Sequence, residues 1–393
     1  MKNNRKKWIL LIIVYILFIC QGMPGSMLGA AWPSARTELG LSLESMGVLS
    51  ALMLCASALS SILNQKVLRR FGIGRVALFS ALLNLAALAG FACAPSFLWM
   101  AVFSVPLGLA QGAVDAGINL YVANQYSSRY VNWLHCFWSV GSSIGPLLIA
   151  QGLAAGAGWR SGYWAVGAIF LLPSVLLTIL LVRKSWDETG DSVVSSQETV
   201  KESSKFVGIR PYLSIFIFFL YTGVEYSASV WVTSMLVESR GVPEELAALS
   251  ATFLFAAVMA GRLLAGIVAN RLGNMAVVRI GVALAVAGGI CIGIAPTFTG
   301  AMVGVVLMGL GFAPIYPCLI HETPRRFSKA VSDRLIGYQV GAAFFGGSII
   351  SAGIGVLLSA FSLELLPVLL ILVVAAIFVI NEVLLRSQKR SEH

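Results

Sequence analysis

The chain has 393 residues, of which 58% are hydrophobic and only 11% are charged. A soluble domain carries about 25% charged residues, so this composition excludes an ordinary soluble protein. Apolar runs of about 20 residues, each long enough to cross a bilayer as a helix, recur along the whole chain. The runs are continuous rather than alternating, which favours helices over a β-barrel. The composition therefore predicts an all-α, multi-pass membrane protein.

Twelve apolar runs qualify as membrane spans. The N-terminal MKNNRKK and the run behind it imitate a signal peptide, but the run reaches about Ala31, which is too long for the apolar core of one. That run is therefore counted as span 1. The predicted spans, numbered 1 to 12 in chain order, are 8–31, 44–68, 75–94, 97–123, 132–156, 160–183, 211–236, 245–270, 276–295, 298–320, 332–358 and 361–384.

The net charge of +10 is compatible with a nucleic-acid partner, but the distribution of the basic residues argues against one. Only Arg36, Arg160 and Arg240 fall in loops predicted to lie outside, and Arg262 falls within a span. The other Lys and Arg residues cluster at both termini and in the even-numbered loops. This positive-inside pattern predicts a protein of the cytoplasmic membrane with both termini in the cytoplasm.

The sequence carries no signal for an enzyme, a metal or a cofactor. All six cysteines lie inside spans, without CxxC or metal-ligand spacing, so neither a disulfide framework nor a metal site is predicted. No nucleophile constellation or phosphate loop is present. A non-transporting sensor would need a sizeable soluble domain, and none is present. These observations leave transport as the predicted class of function, by a chain we expect to be monomeric.

One long polar segment divides the chain. Residues 183–210 are rich in Ser, Glu and Lys and offer little to bury, which predicts a mobile cytoplasmic linker. The predicted organisation is a six-helix bundle over 1–183, a linker over 184–210 and a second six-helix bundle over 211–393.

An internal repeat relates the two bundles. Shifting one half over the other by about 201 residues aligns glycines and a basic loop, which predicts like-built bundles about a pseudo-twofold axis. The aligned pairs are Gly22 with Gly223, Gly108 with Gly309, Arg70 with Arg271 and Gly72 with Gly273.

The basic loops carry a family resemblance. GIVANRLGN at 266–274 resembles the G-x-x-x-D-R-x-G-R loop of the major facilitator superfamily, with Asn270 at the acidic position. The first copy, QKVLRRFGIGR, has Gln65 for the glycine and Arg69 for the acid. The resemblance implies a twelve-helix transporter whose cytoplasmic gating involves a short set of loop residues. That set is Arg70, Gly72, Arg271 and Gly273. The plain alternative is that the loops only set topology.

Few ionisable groups lie within the spans, where they are costly and usually functional. They are Asp115 in span 4, His135 in span 5, Glu225 in span 7 and Arg262 in span 8. In the superfamily that the chain resembles, spans 1, 4, 7 and 10 line the central cavity, which implies a functional role for Asp115 and Glu225. We assign Arg262 to structure, paired with a carbonyl or carboxylate at the cytoplasmic side.

Asp115 and Asn119 are four residues apart, so they stack on one helical face. The turn to span 5 is short, so His135 can face Asn119 across the bundle. The structural alternative is that Asp115 and His135 satisfy each other as a buried polar clasp.

A narrower resemblance comes from four segments: DAGIN at 115–119, NWLHCFWSVG at 132–141, YTGVEYSASVW at 221–231 and GYQVG at 337–341. Together they resemble the fucose permease-like branch, which includes fucose, glucose and galactose symporters and a sodium-dependent glucose branch. Gln21 in span 1 stands where the fucose symporters have an acidic residue. The resemblance implies proton symport of a small neutral sugar with no cofactor.

A neutral sugar needs few, convergent hydrogen-bonding groups and an aromatic surface. Trp231 suits an interfacial aromatic belt equally well. The predicted substrate-binding residues are Gln21, Asn119, His135, Trp138, Glu225, Tyr226, Trp231, Tyr316 and Gln339.

Asp115 is the first choice for proton coupling and Glu225 the second. Sodium is the rival coupling ion, because Asp115 and Asn119 oxygens can help to bind a hard cation. The rival function is a proton-coupled drug or metabolite exporter.

Overall fold

A computed structural model of the chain describes residues 2–126, 128–182, 206 and 208–391. The described part is helical, without a strand. Most of the predicted linker, 184–210, lies outside the described residues.

Twelve helical segments are long and apolar enough to cross a membrane, which confirms the twelve predicted spans. Span 8 opens with a separate short turn, and span 10 breaks after Phe312 and resumes at Ile315 around Ala313-Pro314. In chain order the helices are Lys2–Leu39, Ser45–Phe71, Ile73–Ala92, Phe97–Gln125, Ser128–Ala154, Trp159–Val182, Arg210–Glu238, Glu244–Ala247 with Leu249–Leu272, Asn274–Ile294, Phe298–Phe312 with Ile315–Arg326, Lys329–Ala360 and, after the 3-10 turn Leu363–Leu365, Leu366–Ser391.

Span 1 is longer than its predicted end at residue 31. The helix continues to Leu39, through a segment that contains Pro33 and Arg36. Trp32 and Ala35 are almost fully buried in this extension. The predicted span ended at residue 31 because polar residues lower the mean hydropathy beyond it. The helix continues because its apolar side chains are buried on one face while the polar ones lie on the other.

The chain divides into two compact units, Met1–Val200 and Lys201–His393. In the first unit, span 1 packs along span 5, span 2 along span 4, and span 3 against spans 4 and 6. In the second unit, span 7 packs along span 11, span 8 along span 10, and span 9 against spans 10 and 12. The second scheme is the first one moved on by six spans, so the internal repeat is present in the packing.

The aligned glycines Gly108 and Gly309 occupy the same contact in the two units. A Cβ on Gly108 would meet the Met53 carbonyl and the Ala56 side chain. A Cβ on Gly309 would lie 2.5 Å from the Leu254 carbonyl oxygen and would meet Ala257. These glycines let the backbones of spans 2 and 4, and of spans 8 and 10, approach closely, as small residues do between membrane helices.

In the first unit, an ion pair and its hydrogen bonds connect the ends of spans 1 and 3 with the start of span 6. Arg160, at the start of span 6, pairs with Glu38 at the end of span 1. Arg160 Nη2 also donates to the Ala94 carbonyl just after span 3, at 2.8 Å. Trp159 Nε1 donates to the second Glu38 oxygen at 2.7 Å. We call this arrangement the end clasp of the first unit.

The second unit has an end clasp with the charges exchanged. Arg240, just after span 7, forms two hydrogen bonds with Glu364 before span 12, at 2.9 and 2.7 Å. Arg240 Nη1 donates to the Ala295 carbonyl at 3.1 Å, and Ala295 is the repeat counterpart of Ala94. Two of the arginines that depart from the positive-inside pattern are therefore each held by a carboxylate and a carbonyl at a helix end.

Candidate functional site

Asp115 and Asn119 form a hydrogen-bonded pair on span 4, as their spacing predicts. Asn119 Nδ2 donates to Asp115 Oδ1 and to the Asp115 carbonyl, both at 2.9 Å. Both residues are partly buried. Asn119 Oδ1 is buried and accepts no hydrogen bond within the described part of the chain. The pair therefore presents a fixed carboxylate and an acceptor whose bonding capacity is unused.

The two predicted binding residues on span 5, His135 and Trp138, differ in how deeply their side chains are buried. His135 is exposed and Trp138 is partly buried. The Trp138 carbonyl accepts a hydrogen bond from the Ser142 hydroxyl. A Cβ on Gly22 would clash with the same carbonyl, so the backbones of spans 1 and 5 are in close contact here. The structure pairs Asp115 with Asn119 on its own helix.

Gln21 has a partner that the sequence did not indicate. Asn84 Nδ2, on span 3, donates to Gln21 Oε1 at 3.1 Å, and both side chains are buried. The available signal was a lone amide in the middle of span 3. Its significance depends on a contact 63 residues away along the chain.

In the second unit Glu225 and Arg262 form an ion pair between spans 7 and 8, with 3.6 Å between Oε1 and Nη2. Sequence reasoning expected Arg262 to pair with a carbonyl or carboxylate at the cytoplasmic side. Its carboxylate partner belongs instead to the neighbouring span. Helix periodicity relates residues of one helix only, so it could not predict this contact between two helices.

Aromatic side chains adjoin this ion pair. The Tyr221 hydroxyl, one turn before Glu225, donates to the Phe312 carbonyl at the break in span 10, at 3.0 Å. Tyr316 packs its ring on Tyr221 and Phe218, with centroid separations of 5.7 and 5.0 Å. Of the predicted aromatic residues here, Tyr226 and Tyr316 are only partly buried.

Trp231 and Gln339 lie in helix contacts. Trp231 is fully buried and its Nε1 donates to the Ser351 carbonyl of span 11 at 3.0 Å. Gln339 is fully buried and its Nε2 donates to Ser214 at 2.8 Å and to Thr323 at 3.0 Å. Both side chains thus join span 7 to span 11, and Gln339 also reaches span 10.

The two basic loops make the same turn. Gly72 has φ +77° and Gly273 has φ +81°, and each backbone N–H donates to a carbonyl four residues earlier at 2.9 Å. Positive φ is readily adopted only by glycine, which explains the residue at both places. Arg70 and Arg271 are exposed beside these turns.

The second basic loop, after span 8, forms a hydrogen bond that the sequence did not reveal. Asn274 Nδ2 donates to Glu322 Oε1, near the end of span 10, at 2.7 Å. Arg325 Nη1 donates to the same oxygen at 2.9 Å. The loop after span 8 is therefore hydrogen-bonded to span 10.

Twelve apolar helices in two units with one repeated packing scheme define a multi-pass membrane protein. Residues 14–352 match the Major Facilitator Superfamily, and the chain belongs to that family. This membership supports a role in membrane transport.

Relatives of known name carry different solutes. The chain is 23% identical over 275 residues to the cis,cis-muconate transport protein of Acinetobacter baylyi, covering 67% of this chain and 66% of that one. It is 23% identical over 299 residues to the glucose/mannose transporter GlcP of Bacillus subtilis, covering 74% and 73%. The chain spans less than two thirds of the muconate protein and 57% of a Saccharomyces cerevisiae relative.

The fold has a close match among solved structures. The crystal structure of the nucleoside transporter NupG superposes with a TM-score of 0.77 at 12% identity, covering 96% of this chain and 99% of that one. At this identity the likeness shows the fold alone.

Proposed function

We propose that the chain is a secondary active transporter that moves a small neutral, hexose-like sugar across the cytoplasmic membrane. The observation that carries the proposal is the Asp115–Asn119 pair within an apolar span, with Asn119 Oδ1 buried and accepting no hydrogen bond in the described part. A buried acceptor without a donor is unfavourable, so a solute hydroxyl that donates to it is stabilised there. The glucose/mannose relative supports a sugar as the solute.

The proposed coupling is proton symport through Asp115, with alternating access and both termini in the cytoplasm. Low-dielectric surroundings favour a neutral carboxyl group and water favours the ion, so a change in hydration makes the group exchange a proton. The bond from Asn119 links the charge of Asp115 to a solute-binding amide. Glu225 is the second candidate for coupling. Sodium is the competing ion, since carboxylate and amide oxygens are suitable ligands for it.

Asn119→Ala tests the solute site. Exchange of labelled hexoses by purified protein in liposomes should show an affinity at least about tenfold weaker, as for loss of a hydrogen bond beside a charged group. Ser104→Ala is the matched control, because Ser104 is a buried polar residue of the same span whose hydroxyl donates to the Met100 carbonyl, outside the Asp115 pair. Equal affinity of Asn119→Ala and the parent protein would remove Asn119 from the solute site.

Asp115→Asn tests the coupling. This variant should lose sugar accumulation driven by a proton gradient and keep equilibrative exchange, because the amide cannot take up the proton. Accumulation is measured separately under proton and sodium gradients. Full proton-driven accumulation by Asp115→Asn would transfer the coupling role to Glu225, and accumulation by the parent protein under sodium alone would replace the proton.

A further inference from the structure

Two amide side chains contact each other inside the first unit. Asn84 Nδ2, on span 3, donates to Gln21 Oε1, on span 1, at 3.1 Å. Asn84 is 0% exposed and Gln21 is 5% exposed. Two facing amides can exchange two hydrogen bonds, but this pair forms one. Gln21 Nε2 and Asn84 Oδ1 are both buried and have no hydrogen-bond partner in the described part of the chain.

The unused atoms of the amide pair are one donor and one acceptor. Exchanging the nitrogen and the oxygen of both amides reverses their bond and again leaves one donor and one acceptor. The chemistry of the pair is therefore the same in either orientation. A buried donor and a buried acceptor without partners are both unfavourable, so a group that satisfies the two together is stabilised there.

The packing of the unit does not need these amides. In the aligned repeat, Asn84 corresponds to Ala285 and Gln21 to Thr222. Ala285 is 1% exposed, so a methyl group occupies the equivalent buried place on span 9. Span 9 nevertheless packs against spans 10 and 12 as span 3 packs against spans 4 and 6. One packing scheme thus forms with and without the amide, which favours a binding role for Asn84.

A third amide, Gln111, adjoins span 1 one helical turn from Gln21. Away from its own turn of helix, a Cβ on Gly25 would meet only Gln111 Nε2 among the described residues, at 3.8 Å. Gln111 Nε2 is buried and donates to no acceptor in these residues. Gln111 is also one turn before Asp115, so the two share a face of span 4. Because Gly25 and Gln111 are both partly exposed, the space beside Gly25 gives a solute an approach to the amides.

We propose that Gln21 and Asn84 bind one hydroxyl group of the transported sugar, with Gln111 as a second donor to the same sugar. The inference rests on the proposed sugar transport and adds Asn84 and Gln111 to the solute site. The hydroxyl oxygen accepts a hydrogen bond from Gln21 Nε2, and the hydroxyl hydrogen is donated to Asn84 Oδ1. Asn119 lies two turns beyond Gln111 on span 4 and binds a different hydroxyl of the sugar.

The chemistry of the two unused atoms selects a neutral hydroxyl group. A carboxylate has no hydrogen to donate to Asn84 Oδ1, and an ammonium group has no lone pair to accept from Gln21 Nε2. A hydroxyl group does both. Water does both as well, so the experiment has to separate a sugar hydroxyl from a bound water molecule.

Equilibrium binding of hexoses to the purified full chain tests the inference. The probes are glucose, mannose and galactose, and then each monodeoxy analogue of the hexose that binds most tightly. One analogue should bind the parent protein at least about tenfold more weakly than its hexose, because the buried amide atoms are left without the hydroxyl. Asn84→Ala should bind the hexose and that analogue equally well, and should still discriminate against the analogue that lacks the Asn119 hydroxyl. A purely structural amide would weaken the binding of the hexose and of every analogue by the same factor.

Ser174→Ala is the matched control for this loss of discrimination. Ser174 is a buried polar residue of the same unit, on span 6, and its hydroxyl donates to the Phe170 carbonyl of its own helix. This variant should therefore discriminate among the analogues as the parent protein does.

Asn84→Ala leaves Gln21 Oε1 buried without its donor, so this variant can fail to fold. The double variant Gln21→Met with Asn84→Leu replaces both amides by apolar groups of similar shape, which leaves stability nearly unchanged, and it then carries the test with the same loss of discrimination. Unchanged discrimination in the variant that folds would assign the unused atoms to a bound water molecule and overturn the inference alone. Absence of binding of all three hexoses to the parent protein would overturn the proposed function as well.

Discussion

Individual residues differ in how well their surroundings could be foreseen. The pairing of Asp115 with Asn119 follows from helix periodicity, and the structure confirms the contact. Asn84 and Arg262 have partners on other helices, and one-dimensional spacing does not encode which helices are neighbours. The sequence therefore indicated which residues are polar within the spans, but not the pairs that cross between spans.

Trp231 offers a stability prediction at the residue scale. Trp231→Phe keeps most of the buried ring and deletes the Nε1 donor, which leaves the Ser351 carbonyl buried without this hydrogen bond. An unmade buried bond costs about 1–3 kcal/mol, so the thermal midpoint in detergent should fall. Trp164→Phe, at an exposed position on span 6, should leave the midpoint nearly unchanged.

The same variant separates packing from binding. Trp231→Phe should leave solute affinity close to that of the parent protein, because its indole is engaged between spans 7 and 11. A preserved midpoint combined with a large loss of affinity would return Trp231 to the solute site.

At the scale of helices, the contact between spans 8 and 10 depends on a missing side chain. Gly309→Ala places a Cβ 2.5 Å from the Leu254 carbonyl oxygen, so the two helices must separate. Overpacking of this kind costs about 1–3 kcal/mol, and the thermal midpoint should fall. The midpoint is measured by loss of monodisperse protein on heating.

Gly266→Ala is the matched control on span 8. A Cβ at Gly266 meets nothing within 4 Å, and alanine favours helix over glycine. The control should therefore leave the midpoint equal or slightly higher. Similar losses in both variants would mean that Gly309 does not set the helix separation.

The number of membrane-spanning helices was predictable from the sequence, but their ends and breaks were not. Each span is long and apolar, so hydropathy alone finds all twelve. The extension of span 1 to Leu39 and the break at Ala313-Pro314 depend on which sides of those segments are buried. Burial is decided by neighbouring helices, and sequence reasoning had only the helix itself.

At the scale of the molecule, the end clasp of the second unit predicts coupling between distant positions. Arg240→Glu puts two carboxylates together and removes the bond to the Ala295 carbonyl, so stability should fall. Adding Glu364→Arg should restore part of the loss, with a coupling energy of about 0.5–3 kcal/mol in a double-mutant cycle.

Arg279 with Glu382 is the comparison pair. Arg279 is 52% exposed where Arg240 is 15% exposed, so water screens it more and its coupling energy should be smaller. Equal coupling in both cycles would show that the clasp adds nothing beyond an ordinary surface pair.

The exchange of charge between the two end clasps has a consequence for how the chain sorts its helices during insertion. Because the two units share one packing scheme, span 1 resembles span 7, and span 6 resembles span 12, as docking partners. Were span 1 to dock with span 12, Glu38 would meet Glu364, and span 7 with span 6 would bring Arg240 to Arg160. Either wrong pairing sets like charges against each other, whereas each right one joins opposite charges. Duplicated halves that had kept the same charges would lack this safeguard, so the inversion favours the docking of each helix within its own unit.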